Sequence, residues 1–146
     1  MDEKNIFAVA SFGGHWVQLN KLDKVLQRHN TYYFSTEKNI ISNKTFYIND
    51  FSRDDFWKAI PCFFKALYFI LKLKPHVVIS TGALPGLIFI VVAKLCRKKT
   101  VWLDSMANSD ELSFSGKFAG KFADVWLTQW EDLASSTGPF YKGRVI

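Results

Sequence analysis

The sequence is poor in the residues that mark secreted, metal-binding and disordered proteins. It has only two cysteines, Cys62 and Cys96, which lie in apolar stretches without the spacing of metal ligands. We therefore expect both thiols to be reduced and buried, with neither a metal site nor a bound cofactor. No internal repeat or low-complexity linker interrupts the chain, and 49% of its residues are apolar. This composition excludes disorder and predicts one folded domain over residues 1–146.

Signals for export and for membrane insertion are also missing. The first four residues, Met1-Asp2-Glu3-Lys4, provide neither a basic start nor a small-residue cleavage site. No uncharged apolar run approaches the ~20 residues that a membrane-spanning helix needs. We therefore expect a cytoplasmic protein, which leaves peripheral attachment to the cytoplasmic face of the cell membrane open.

Long runs of one charge are absent as well. The net charge of +6 is spread along the chain, so the expected positive field is diffuse. Such a field attracts phosphates, an anionic membrane surface and nucleic acid alike. The net charge alone therefore does not show which of these partners the protein binds.

What the sequence does contain is a regular alternation of strand-like and helix-like segments. The helical segments include residues 19–26, a long helix capped by Asp54 or Asp55 and closed by Pro75, and residues 85–96. A polar stretch spans residues 36–44. Short apolar runs predict strands at residues 6–10, 31–35, 46–48, 76–80, 100–103 and 125–128. This alternation predicts an α/β fold with a Rossmann-like, doubly wound parallel sheet.

Three predicted strands are followed by small, polar or ionisable residues. Ligands of doubly wound sheets bind outside the carboxyl ends of the strands, so these segments are candidates for one shared site. They are residues 11–15 (Ser-Phe-Gly-Gly-His), residues 80–82 (Ser-Thr-Gly), and the pair Asp104-Ser105. Their convergence is a stronger argument than any one of them alone.

The first segment carries the candidate catalytic residue. Gly13 and Gly14, following Ser11, let the backbone turn sharply and present amides to a phosphate at a helix start. His15 would then lie on the first turn, where it can bind phosphate or act as a general base. The alternative is a tight turn with a structural His15, because this spacing is not the dinucleotide-binding GxGxxG.

The other two segments are less specific. Thr81 and Gly82 offer a hydroxyl and a glycine turn that suit an anionic group. The alternative is an ordinary turn between a strand and a helix, which has the same kind of sequence. Asp104 and Ser105 can hydrogen-bond a sugar or a partner, or they can cap the following helix.

The helical segment from Phe56 to Lys74 has the pattern of a helix that lies on an anionic membrane. Its broad apolar face is rich in aromatic residues, whereas a core-packed crossover helix with a solvated lysine edge is the alternative. Phe114, Phe118 and Phe122 form a second, shorter stripe that indicates either core packing or another contact surface. The membrane candidates are Trp57, Phe63 and Phe64 on the apolar face and Lys58, Lys65 and Lys72, which recur every seven residues.

Taken in order, the segments resemble those of the ALG-fourteen family and its bacterial relatives of the PssD, CpsF and EpsE kind. The resemblance rests on residues 11–15, on residues 80–82 with Pro85-Gly86, on Ser113-Phe114-Ser115-Gly116-Lys117, and on Ala123-Asp124 with Gln129-Trp130. More distantly, the chain is similar to the N-terminal half of MurG, a GT-B glycosyltransferase. In that half, a glycine-rich loop ending in His is associated with the diphosphate of the lipid acceptor.

This resemblance implies the acceptor-side, membrane-associated half of a split glycosyltransferase. Its substrate would be a polyprenyl-pyrophosphate-linked saccharide in exopolysaccharide or capsule assembly, and nucleic acid is not expected as a partner. Ser11, Gly13, Gly14, Thr81 and Gly82 would contact the acceptor and its phosphates, and His15 is the proposed base. A separate, PssE-like subunit would bind the UDP-sugar, and transfer would need both chains.

Two departures from the family shape these expectations. Eukaryotic members carry an N-terminal transmembrane anchor that this chain lacks, which predicts a bacterial-type subunit attached through the helix at 56–74. The second glycine loop has fewer glycines than that of MurG.

Two rival interpretations remain open at this point. A non-catalytic scaffold would recruit the transferase subunit to the membrane and use His15 structurally. A nucleotide-dependent oxidoreductase is disfavoured by the missing GxGxxG and by the missing acidic residue after the second strand.

Overall fold

The computed structural model describes residues 2–40, 42 and 44–145. Residues 1 and 146 at the ends of the predicted domain, and residues 41 and 43 of the polar stretch, lie outside the described residues. Within the described part, seven strands form one parallel sheet in the order β3-β2-β1-β4-β5-β6-β7. The strands are β1 (Asn5–Ala10), β2 (Asn30–Ser35), β3 (Thr45–Tyr47), β4 (Val77–Ser80), β5 (Lys99–Leu103), β6 (Val125–Thr128) and β7 (Phe140–Tyr141).

Helices cover both faces of this sheet, as a doubly wound fold requires. Two short 3₁₀ turns, Arg53–Lys58 and Glu131–Leu133, accompany them. The α-helices are α1 (Gly14–Asn20), α2 (Asp23–Leu26), α3 (Ala59–Leu73), α4 (Ala83–Leu95) and α5 (Phe114–Ala119). The predicted fold class is therefore confirmed, and the six predicted strands are all present.

The core is divided by the sheet into a larger and a smaller cluster. Alternate side chains of the strands point to opposite faces, so neighbouring residues of β1 enter different clusters. Phe7 and Val9 join the larger cluster under α3, α4 and α5, whereas Ile6 and Ala8 join the smaller one under α1 and α2. The helix α4 lies between α3 and α5 and is buried on most of its circumference.

Three boundaries differ from the predictions. The segment 19–26 is divided into α1 and α2 and leaves Val25 exposed. Neither Asp54 nor Asp55 is the N-cap of the long helical segment. Ser52 occupies that position before the 3₁₀ turn, and its backbone N donates to the Asp55 carboxylate at 2.7 Å. The strand β7 was not predicted, because two residues carry no periodic pattern.

The end of α3 and the start of α4 follow the predictions. Lys74 adopts the left-handed conformation with φ of +48° directly after α3, and Pro75 prevents the helix from continuing. Pro85 lies in the first turn of α4, where a missing backbone N–H costs nothing.

Candidate functional site

The three polar segments meet at the carboxyl edge of the sheet, as predicted. β1, β4 and β5 are adjacent strands, so the loops that follow them lie side by side. The chain leaves β1 towards β2 and β3 on one side, whereas β4 and the later strands lie on the other. This reversal of strand order opens a crevice at the end of β1, the usual ligand position in such sheets.

His15 is held at this crevice by the loop that follows β4. Its Nδ1 lies 3.1 Å from the carbonyl oxygen of Thr81, and the Thr81 hydroxyl donates to the carbonyl of His15 at 2.7 Å. Because a carbonyl only accepts, Nδ1 must carry the proton in this hydrogen bond. The neutral ring therefore keeps Nε2 as its acceptor, which is the arrangement that a general base requires.

Gly82 makes room for the imidazole ring. Its φ is +144°, and a Cβ at this position would overlap His15 Nδ1, so only glycine satisfies both constraints. The next residue, Ala83, also has a positive φ of 69°, which is strained for a residue with a side chain. The turn between β4 and α4 is thus shaped around His15.

The loop that precedes His15 is open to a ligand. Gly13 has a φ of +73°, and Gly13 and Gly14 have free space where a Cβ would stand. The side chain of Ser11 is buried at the end of β1, and its hydroxyl oxygen has no hydrogen-bond partner among the described residues. A buried hydroxyl without a partner is uncommon and marks this loop as unusual.

Asp104 faces the interior instead of the crevice. Its side chain is buried, and its carboxylate accepts hydrogen bonds from Trp102 Nε1 at 3.1 Å and from the backbone N and hydroxyl of Ser113. The cap of the following helix is Ser113, whose hydroxyl accepts from Gly116 N at 2.9 Å. Ser113 and not Asp104 therefore caps α5, which corrects that interpretation, whereas contact of Asp104 with a sugar or a partner stays a prediction.

A buried amide network next to Asp104 was missed by sequence reasoning. The side-chain amide of Gln129 donates to the Gln18 side chain at 2.8 Å and to the carbonyl of Asp104 at 2.9 Å. Its oxygen accepts from Val145 N at 3.0 Å, and Gln18 Nε2 lies 3.4 Å from the hydroxyl of Ser105. The network joins α1, β5, β6 and the last described residues. In the sequence, this network is indicated only by the Gln129-Trp130 pair, which is one of the segments that resemble the ALG-fourteen family.

The predicted membrane helix presents a continuous apolar stripe to solvent. The stripe runs along α3 and the turn before it, on the side opposite the core residues Cys62, Ala66 and Ile70. Each of its members is more than half exposed, and Trp57 reaches 68%. The stripe comprises Trp57, Ile60, Phe64, Tyr68 and Leu71. The solvated face of a crossover helix more often carries charged residues, although the lysine row fits either interpretation of this helix.

Not every predicted membrane residue belongs to this stripe. Phe63 is half-buried and packs against the core. Lys58 forms a salt bridge with Asp55 at 2.8 Å, and Lys72 Nζ donates to the Tyr68 hydroxyl at 3.0 Å. Lys65 Nζ donates to the carbonyl of Tyr47. The three lysines recur every seven residues and so form a row along one edge of the stripe.

The remaining predictions concern α5, the cysteines and the membrane. Phe114 and Phe118 are each 41% exposed, whereas Phe122 packs against the core. Cys62 is buried and Cys96 only half-buried, and both are free thiols. Burial raises the pKa of the Cys62 thiol to about 12. Across residues 2–40, 42 and 44–145, no helix is long and apolar enough to cross a bilayer, and no three metal-ligating side chains cluster.

Comparisons with solved structures agree on the fold. The chain superposes on Acinetobacter baumannii MurG with a TM-score of 0.76 and 15% identity, covering 95% of this chain and 45% of MurG. For the UDP-N-acetylglucosamine 2-epimerase of Rickettsia bellii the TM-score is 0.73 at 13% identity, covering 99% and 46%. Less than half of either protein is covered, and the fold matches a GT-B N-terminal domain, as predicted.

Sequence comparisons give the family. The UDP-N-acetylglucosamine transferase subunit ALG14 of Eremothecium gossypii is 38% identical over 72 residues, which are 44% of this chain and 31% of that protein. The chain thus spans less than a third of this relative in the match. The model of the family described as oligosaccharide biosynthesis protein Alg14 like matches residues 44–145, more than half of the chain. The chain therefore belongs to the Alg14-like family of oligosaccharide biosynthesis proteins.

Proposed function

We propose that this chain is the acceptor-binding, membrane-associated subunit of a two-component glycosyltransferase. The partner, a PssE-like subunit, binds a UDP-sugar, and the pair transfers the sugar to a polyprenyl-pyrophosphate-linked saccharide. Membership of the Alg14-like family and the name of the fungal relative support the reaction class. The setting that we propose is exopolysaccharide or capsule assembly at the cytoplasmic face of the cell membrane.

The observation that carries this proposal is the contact of His15 Nδ1 with the Thr81 carbonyl oxygen, from which the tautomer follows. Thr81 holds the Nδ1 proton, so Nε2 is free to accept a proton at the crevice. As the acceptor hydroxyl attacks the anomeric carbon of the donor sugar, its proton passes to Nε2 and UDP leaves with the electrons of the broken bond. Proton transfer to a positioned base typically contributes about 10²–10⁴-fold to a rate.

The acceptor's pyrophosphate belongs at the loops around His15. The amides of Gly13 and Gly14 start α1, and the strand-to-helix turn at Thr81-Gly82 contacts the next residue, His15. The unpartnered hydroxyl of Ser11 is a further hydrogen-bonding group in the same loop. Amides and hydroxyls of this kind bind phosphate oxygens without a metal ion.

The membrane contact belongs to α3. Its exposed stripe of Trp57, Ile60, Phe64, Tyr68 and Leu71 would enter the interfacial region of the bilayer. The row of Lys58, Lys65 and Lys72 would lie at the level of anionic headgroups. The helix would thus keep the crevice close to a lipid-linked substrate.

The test is a transfer assay with the assembled pair, membranes carrying the lipid-linked acceptor, and labelled UDP-sugars. The His15→Asn variant keeps a side-chain donor for the Thr81 carbonyl but lacks a base. We expect it to lower transfer at least ~100-fold while the pair still co-purifies. Transfer by either wild-type chain alone would contradict the two-component proposal.

The rival function is a non-catalytic scaffold, and one observation favours it. The imidazole of His15 fills the space above Gly82, so the ring has a packing role of its own. Under this alternative, His15→Asn would retain full transfer, and only variants that disturb pairing or membrane contact would lose it.

A further inference from the structure

A cavity of about 770 Å³ lies between the glycine loop and the membrane helix. It is formed by the residues that follow β2 and β3 and by the first turns of α3. This volume falls within the range of small-molecule sites in proteins. None of the residues proposed to bind the acceptor lines it. The apolar part of its wall consists of Phe12, Tyr47, Ile48, Trp57, Pro61 and Cys62.

The cavity connects the two functional surfaces of the chain. Phe12 belongs to the loop that ends at His15, and Trp57 belongs to the exposed stripe of α3, yet both line the same cavity. Two hydrogen bonds connect segments of the wall. Phe12 N donates to the Thr36 hydroxyl at 2.8 Å, and Lys65 Nζ donates to the Tyr47 carbonyl.

The charge of the lining decides against a phosphate in the cavity. Three lysines are opposed by two carboxylates, those of Glu37 and Asp50. One of the lysines, Lys58, is already paired with Asp55 at 2.8 Å. The thiol of Cys62 is buried and uncharged, because burial raises its pKa to about 12. The charge of the lining is thus nearly balanced, so the cavity supplies little net attraction for a pyrophosphate.

We propose that this cavity holds the first isoprenoid units of the acceptor's polyprenyl chain. The inference rests on the proposed function, which places the pyrophosphate at the glycine loop and the rest of the lipid in the bilayer. An isoprenoid unit exposed to water carries a free-energy cost in proportion to its apolar area. A path walled by Phe12, Tyr47 and Trp57 removes that cost and explains why three exposed aromatic side chains rim one cavity.

The test compares two water-soluble probes on the isotope-labelled chain, inorganic pyrophosphate and geranyl diphosphate, the second used below its micellar concentration. We expect geranyl diphosphate to bind at least ~10-fold more tightly. Its amide shifts should include residues 36–39 and 47–50, which pyrophosphate leaves unchanged. Tyr47→Ala should reduce this advantage to about threefold or less. Phe140→Ala is the matched control, since Phe140 is an exposed aromatic residue outside both the cavity and the stripe.

Other outcomes would overturn the proposal. Equal affinities for the two probes would leave the cavity without a role in lipid binding. Shifts of residues 36–39 and 47–50 by the methyl glycoside of N-acetylglucosamine, without shifts by geranyl diphosphate, would make the cavity a sugar site. Failure of the proposed function has a different signature, because the assembled pair would then transfer no sugar while geranyl diphosphate still bound as expected. An unchanged melting temperature shows that Tyr47→Ala folds.

Discussion

At the scale of single residues, the site depends on a few close contacts between loops that are distant in the chain. His15 and Gly82 are separated by 67 positions, yet the imidazole ring occupies the space where a side chain at position 82 would stand. Thr81 completes the arrangement with two hydrogen bonds to the histidine. A substitution of Gly82 therefore tests how His15 is positioned.

We expect Gly82→Ala to destabilise the protein by about 3 kcal/mol and to reduce transfer as strongly as loss of the base. The added methyl group would displace the imidazole, and the positive φ of 144° would add backbone strain. Gly143→Ala is the matched control, because Gly143 has a φ of +107° with open space around it, and about 1 kcal/mol of strain is its only cost. Thermal unfolding and the transfer assay together measure both effects.

At the scale of secondary-structure elements, α3 and the neighbouring strands β5 and β6 have different roles. One face of α3 packs small residues against α4, and the opposite face exposes aromatic and aliphatic side chains. At the other side of the sheet, Asp124 connects three elements. Its carboxylate accepts hydrogen bonds from Lys94 of α4 and from the backbone N of Thr100 in β5 at 2.9 Å.

The double variant Ile60→Ser/Phe64→Ser should weaken binding to anionic vesicles at least ~10-fold, since both side chains would otherwise leave water. Raising the salt concentration should weaken the wild type as well, because each lysine near an anionic surface contributes about 1 kcal/mol. Phe140→Ser, an equally apolar but remote exposed position, should bind like the wild type. Vesicle co-sedimentation measures all three, and unchanged binding by the double variant would rule out α3 as the contact.

The carboxylate of Asp124 should contribute to stability in a pH-dependent way. The hydrogen bond from Lys94, with further donors from Thr100, holds its pKa below the ordinary 3.8. A lowered pKa in the folded state means that the contribution is present above pH 3.8 and is lost as the pH falls below it. We expect Asp124→Asn to cost about 2 kcal/mol at pH 7. Denaturant unfolding should show this cost shrinking towards pH 3, whereas Asp132→Asn, at an exposed position, should change little at any pH.

At the scale of the whole molecule, the two surfaces face in different directions. The crevice lies at the carboxyl edge of the sheet, and the stripe lies on the outer side of α3, so the proposed function assigns them to different ligands, the acceptor and the membrane. A presumed partner without a membrane surface of its own should sediment with vesicles only when this chain is present. Ile60→Ser/Phe64→Ser should abolish that co-sedimentation while the pair still elutes as one complex in solution. Loss of the complex in solution would mean that the stripe is the subunit interface.

The sequence by itself determined the class of fold, the position of six strands and the three loops at the carboxyl edge. These features are local, because the spacing of apolar residues, turns at glycine and helix ends at proline depend only on residues nearby in the chain. It also made His15 a candidate base, since a histidine directly after a glycine turn is recognisable without a structure, and that role stays a prediction.

Tertiary structure alone decided which way individual side chains point. Phe63 and Phe64 are neighbours in one apolar run, yet about 100° of helical rotation turns the first towards the core and the second towards solvent. The carboxylate of Asp104 accepts hydrogen bonds from Ser113, nine positions later, which no local pattern predicted. The proton on His15 Nδ1 likewise depends on Thr81, 66 positions away. These outcomes depend on contacts between distant segments, which no local pattern contains.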